Sequence, residues 1–173
     1  MDSIIFDEGS LTKVITRELE LGLYPQYIGE EKNVINKLLR QRKFNYNPDL
    51  NGILLGYSHL EFLNDTGRII DDGALIFWKI KANFNIFNIT TNQLVKSKLT
   101  RVGKKYLGCT LVGCIDVTIK FDEQVENEIE EQIIPNMSID NDIIFKVKSF
   151  VPSQRYIEGI IDEEVFRLLT NLS

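Results

Sequence analysis

Between Thr12 and Leu23 the sequence TKVITRELELGL alternates apolar and charged positions, with Val14, Leu19, Leu21 and Leu23 interleaved with Arg17, Glu18 and Glu20. A period of two predicts a half-buried strand, closed here by Gly22 and Pro25. From Glu30 to Lys43 the period lengthens: Val34, Ile35, Leu38 and Leu39 share one helical face, while Lys32, Lys37, Arg40 and Arg42 lie elsewhere. Acids lead this segment and bases finish it, the order a helix macrodipole favours. Asn47-Pro48 then blocks any continuation. The run LNGILLGYSHLEFL, residues 50 to 63, is almost continuously apolar, which predicts a strand buried on both faces.

Turn signals follow at Asn64-Asp65-Thr66-Gly67 and Asp71-Asp72-Gly73, and Ala74 to Phe87 forms another alternating strand with Lys79, Lys81, Asn83 and Asn85 outward. Residues 1 to 87 therefore read as a β-α-β-β domain. The remainder, residues 88 to 173, is punctuated differently. Strands are predicted at about 92–102, 106–112, 115–121, 142–150 and 155–161, and Gly103, Gly108 and Gly113 recur every fifth residue among them. Glycine at such spacing marks bends and close backbone approaches in tightly coiled strands. Five short strands with a long insertion after the third, at about 122–141, predict an OB-fold barrel. The fold class is thus α+β. Within the insertion DEQVENEIEEQII predicts an acidic helix or a mobile loop, and the terminal DEEVFRLL predicts a short helix packing Val165, Phe166 and Leu169.

Charge sharpens this division. The formal net charge is −5, with ten of the twenty bases on each side of residue 87. Residues 96 to 120 carry six bases against Asp116, and residues 121 to 142 carry eight acids and no base. Any nucleic-acid contact must come from a local patch, since the whole chain would repel a phosphate backbone. The two cysteines, Cys109 and Cys114, are five apart in a predicted strand region, which sends them to opposite faces and predicts two buried small hydrophobes. The N-terminus shows no secretory signal, and no apolar run approaches the ~20 residues that span a bilayer. An intracellular, reducing compartment is expected.

Catalytic chemistry is not signalled. His59 is the lone histidine, set in GYSHLEFL, where the expectation is a strand residue bonded to backbone. Nucleotide-loop, zinc and nucleophile-elbow spacings are missing, and the acids of 122–131 have nothing to desolvate them. The expected chain is therefore not an enzyme and has no catalytic residues, metal site or cofactor. Binding remains. Bases that hold phosphates and rings that stack on nucleobases are supplied by Lys96, Lys98, Arg101, Lys104, Lys105 and Tyr106, with Lys146, Lys148 and Arg155 on later strands. Phe150 and Tyr156 sit beside them. Tyr57 and Trp78 are candidate interface anchors, with core packing as the default for both.

The run NPDLNGILLGYSHLEFL (47–63), and above all the ending formed by Tyr106, Leu107, Gly108, Leu111, Gly113, Ile115, Asp116, Thr118 and Ile119, resemble a known family. It is that of the larger stalk subunit of multisubunit RNA polymerases, and within it these runs look like segments of the polymerase I member. Residues 73 to 119 resemble that subunit's passage across its domain junction. The resemblance implies a first domain that is the tip docking on the polymerase core, and a barrel beside the RNA exit path. It also implies a smaller stalk subunit, the polymerase I initiation factor and nascent RNA as partners, with no membrane, in the nucleus and nucleolus. Lys96-Ser97-Lys98-Leu99 departs from the Gly-x-Val of many such barrels, and the sequence lacks a long charged tail, which suggests a compact version of the subunit. The corresponding subunit of polymerase III or II is a close alternative. A free-standing OB-fold protein binding single-stranded nucleic acid is another, and a small hydrolase would need an acid pair that is not found.

Overall fold

The alternating and helical periods are realised in a computed structural model that describes residues 3 to 172. In chain order the elements are β1 (Ile5–Phe6), β2 (Thr12–Leu23), α1 (Glu31–Gln41), β3 (Tyr46–Asn47), β4 (Gly52–Phe62), β5 (Arg68–Ile69) and β6 (Ile76–Phe87). There follow β7 (Leu94–Val102), β8 (Tyr106–Leu111), β9 (Ile115–Phe121), α2 (Glu126–Glu128), β10 (Asp142–Val151), β11 (Tyr156–Ile161) and α3 (Glu163–Asn171). Two compact units result. One runs from Thr12 to Asn88; the other joins the segment up to Leu11 with the chain from Ile89 onward.

In the first unit β2 and β6 pair antiparallel without interruption, from Thr12 opposite Phe87 to Leu23 opposite Ile76, in a sheet ordered β2-β6-β4-β3. Alternation puts Leu19, Leu21, Ile80, Ala82 and Phe84 on one face, and Ile35 and Leu39 of α1 pack on it with no exposed surface. Burying each such aliphatic side chain stabilises by about 1.5–3 kcal/mol, which is what holds α1 to the sheet. The expected two-sided burial of residues 50–63 does not hold. Only Gly52, Ile53 and Leu54 of β4 are buried, because register shifts between Leu54 and Gly56 and again between Ser58 and Glu61 turn the strand outward. His59 sits in the second shift with φ +54°, exposed, its Nδ1 3.1 Å from Ser58 Oγ. It is a bulge residue whose contacts are the Ser58 and Asn83 side chains, where a bond to backbone was expected.

In the second unit the pairings β7–β8, β8–β9, β9–β11, β11–β10 and β10–β7 close a five-stranded barrel. All are antiparallel except β9–β11, and this order is that of the OB-fold. β1 lies parallel to β7, with Ile5 opposite Leu94. Glu8 supports this attachment: its carboxylate accepts from Ser97 Oγ at 3.2 Å and from the Val112 amide at 3.4 Å. The segment from Ser3 to Leu11, placed with the first domain by chain order, thus joins the barrel.

The acidic insertion is helical, with α2 continuing through a π turn (Ile129–Ile133) into a 3-10 turn (Ile134–Asn136). Val125, Ile129 and Ile133 are buried, four residues apart each time, so the acids ride on an apolar seam. Asp162 caps α3 by accepting from the Val165 amide at 3.0 Å. Cys109 faces the barrel interior, where burial pushes its thiol up to about 12. Cys114 lies in the β8–β9 turn and is half-buried, a turn residue where a strand position was expected.

Candidate nucleic-acid interface

The candidate bases fall into three groups on the barrel unit. Lys96 and Lys98 alternate outward on β7 and both reach Asp142 of β10, at 3.2 and 3.6 Å, because the antiparallel register sets Asp142 opposite Lys98. Lys96, as the leading hydrogen-bond partner, holds the Asp142 carboxyl below its ordinary value. Lys104 and Lys105 occupy the turn between β7 and β8, with Tyr106 opening β8 at 47% exposure. Gly103 permits this turn: a Cβ there would stand 2.9 Å from the Tyr106 ring. Arg155 lies in the β10–β11 turn with φ +51°, and its carbonyl accepts from the Asp116 amide at 3.0 Å.

Between these turns runs the outer face of β8 and β9, with Tyr106 opposite Lys120, Gly108 opposite Thr118 and Thr110 opposite Asp116. The Arg101 side chain passes over Gly108, where a Cβ would come within 2.6 Å of Nε, and its guanidinium lies 3.9 Å from Asp116. In an OB-fold this strand face and the turns after the first and fourth strands are the surfaces that meet oligonucleotides. The structure therefore gathers Arg101, Lys104, Lys105, Tyr106 and Arg155 around one face. Lys120, outside the candidates named from the sequence, joins them, and its outward position in the β9 alternation is the signal that marks it.

The other candidates stand elsewhere or are engaged. Lys146 reaches from β10 to Asp162 at 2.5 Å and Glu164 at 2.7 Å, with only 18% of its side chain exposed. Burial opposes its charge, but the two carboxylates outweigh that and raise its pKa. Lys146 thus fastens α3 to the barrel. Lys148 and Lys120 share Glu158, at 3.3 and 3.5 Å, and Lys105 pairs with Glu126 of the insertion at 3.4 Å. Among the described residues only Lys104 and Arg155 of the candidate bases form no ion pair. Exposed pairs contribute about 0–1 kcal/mol, so phosphates can displace them.

Tyr57 and Trp78 are packed in the first unit. The Tyr57 hydroxyl donates to Asn36 Oδ1 at 2.9 Å, tying β4 to α1. Trp78 is buried in the core and meets Phe62 edge to face at 6.0 Å. No group of three or more metal-ligating side chains occurs among the described residues, and no helix of the structure is long and apolar enough to cross a membrane.

Pairing order and the placement of bases define an OB-barrel protein with a second, mixed α+β unit. Comparison with known proteins narrows the class. No family model matches the chain. It is 27% identical over 108 residues to DNA-directed RNA polymerase I subunit RPA43 of Mus musculus, covering 62% of this chain and 33% of that protein. The Homo sapiens subunit of the same name is 26% identical over 117 residues, covering 68% and 35%. The Schizosaccharomyces pombe subunit is 21% identical over 104 residues, covering 60% of each. The resemblance to the larger stalk subunit of RNA polymerase I is thus carried by relatives from several species. The chain spans about a third of the length of the mouse and human proteins.

Proposed function

We propose that this chain is a noncatalytic stalk subunit of DNA-directed RNA polymerase I that takes part in rRNA gene transcription in the nucleolus. The observation that carries the reading is the coincidence of a closed barrel in OB order with a sequence match to RPA43 subunits. The Thr12–Asn88 unit is the tip that docks on core polymerase subunits. The barrel unit meets nascent RNA through the β8–β9 face, with Arg101, Lys104, Lys105, Tyr106 and Arg155 as contacts. A smaller stalk subunit and the polymerase I initiation factor are its further partners. The mechanism is positional: apolar docking fixes the subunit, and exposed bases steer and retain RNA in a salt-dependent way.

The test is purification of the tagged chain from its own cells, followed by mass spectrometry. Large subunits of polymerase I are expected in the eluate in near-stoichiometric amounts. Their absence would sink the reading in favour of a free-standing OB-fold protein, and large subunits of polymerase II or III in their place would reassign the complex.

A further inference from the structure

We propose a second surface for single-stranded nucleic acid, on the turn that follows α1, where Arg40, Arg42 and Lys43 hold phosphates and Phe44 and Tyr46 offer their rings to bases. It lies in the Thr12–Asn88 unit and does not depend on the polymerase reading.

Charge comes first. Residues 32 to 48 contain five bases and no acid. In contrast to the barrel, where most bases are paired, the ion pair of this unit joins Arg68 to Glu20, and Arg40, Arg42 and Lys43 form no ion pair among the described residues. The partial negative charge at the end of α1 accounts for Arg40 in its last turn. Arg42 and Lys43 lie beyond it.

Backbone and rings point the same way. Phe44 has φ +65°, a left-handed conformation that aromatic residues rarely adopt. It is pinned there by its own amide, which donates to the Leu54 carbonyl at 2.7 Å, and by the Leu54 amide, which donates to Asn45 O at 3.1 Å. This strain does not serve to bury the ring, which is 39% exposed with Lys43 Nζ 5.4 Å from its centre. Unusual backbone held in place by its surroundings concentrates at functional sites. Tyr46 is 38% exposed, and its hydroxyl donates to Asn51 Oδ1 at 3.0 Å, which fixes the ring. Beside it runs a groove of about 300 Å³ lined by Arg42, Asn45, Tyr46, Asn47 and Pro48, with Asp49 also on its wall.

An acidic peptide would need the cations alone. Two presented rings flanked by cations and side-chain amides suit an unpaired strand, which offers bases to the rings and phosphates to the cations.

The test uses the full chain with Lys104→Glu and Lys105→Glu, so that the barrel turn does not mask the result, and a fluorescein-labelled oligouridine followed by anisotropy. Adding Arg40→Glu, Arg42→Glu and Lys43→Glu should weaken binding about tenfold or more. It should also flatten the log–log salt slope by about 2, for three phosphates at ~0.7 each. Phe44→Gly, which suits the positive φ, should weaken binding about fivefold or more through the lost stack while the far-UV circular dichroism of the folded chain stays that of the parent. A 4-thiouridine oligonucleotide should crosslink to the peptide holding Phe44 and Tyr46. Unchanged affinity in the charge-reversed variant, or crosslinks confined to the barrel unit, would overturn the proposal.

Discussion

Alanine at Gly159 and at Gly108 adds the same methyl group to the same barrel, and the structure predicts unequal outcomes. Gly159 points inward from β11, where a Cβ would stand 2.6 Å from Phe145 Cδ2 and 3.3 Å from Ile119 Cγ1. Phe145 and Ile119 have no exposed surface, so neither can swing away. Overpacking a close-packed interior costs about 1–3 kcal/mol. At Gly108 the obstructing atoms belong to Arg101, with Nε at 2.6 Å, on a side chain that is 51% exposed and free to move outward. The Arg101–Asp116 pair it would break is worth about 0–1 kcal/mol, and the reduced freedom of the unfolded chain returns about 0.4–1 kcal/mol. Urea denaturation followed by far-UV circular dichroism should therefore lower the Gly159→Ala midpoint by about 1 M, for a loss near 2 kcal/mol and a slope of about 2 kcal/mol/M. Gly108→Ala should stay within about 0.5 M of the parent on the same scale, while its RNA crosslinking at the barrel falls as Arg101 moves. A Gly159→Ala midpoint equal to the parent's, or a larger loss at Gly108, would refute the packing account.

The double variant Lys104→Glu/Lys105→Glu should reduce RNA crosslinking to the barrel and leave polymerase assembly intact; loss of assembly would show that these lysines face protein. Trp78→Ala should cost about 3–5 kcal/mol in the same urea assay, because it empties a buried site against Phe62. The Lys146 cluster predicts a two-sided pH profile. Burial works against the Asp162 carboxylate, but the Lys146 hydrogen bond and charge together with the Val165 and Glu164 amides outweigh it and lower the pKa below 3.8, so this stabilisation is present above that value and lost as pH falls through the folded one. Lys146 is raised above 10.5, so its contribution is present below that value and lost as pH rises through the folded one. Melting temperatures should fall at both extremes, and Lys146→Met should blunt both limbs; an unchanged profile would remove the cluster from the stability of α3.

What the sequence disclosed and what it withheld divide along one physical line, the distance over which a contact acts. β2 and β6 were legible because each buries one face along its whole length, which writes a period of two directly into residues 12–23 and 76–87. The barrel strands were legible from short β-prone runs between glycines. β4 was misread because its two register shifts change which face is buried, and a bulge leaves no periodic mark in GILLGYSHLEF. The candidate patch shows the same limit more sharply. Lys96 and Lys98 read as free cations, yet their neutralising acid, Asp142, lies far along the chain and arrives only through the β7–β10 register. Glu126 and Glu158 do likewise for Lys105 and Lys148. Two signals were local and still passed over: the seam of Val125, Ile129 and Ile133 was hidden by acids, and Arg40, Arg42 and Lys43 were absorbed into the charge gradient of a helix. Charge density along a sequence therefore overstates the barrel patch and understates the turn after α1. Cations outside any ion pair are what a phosphate backbone can engage without first breaking one.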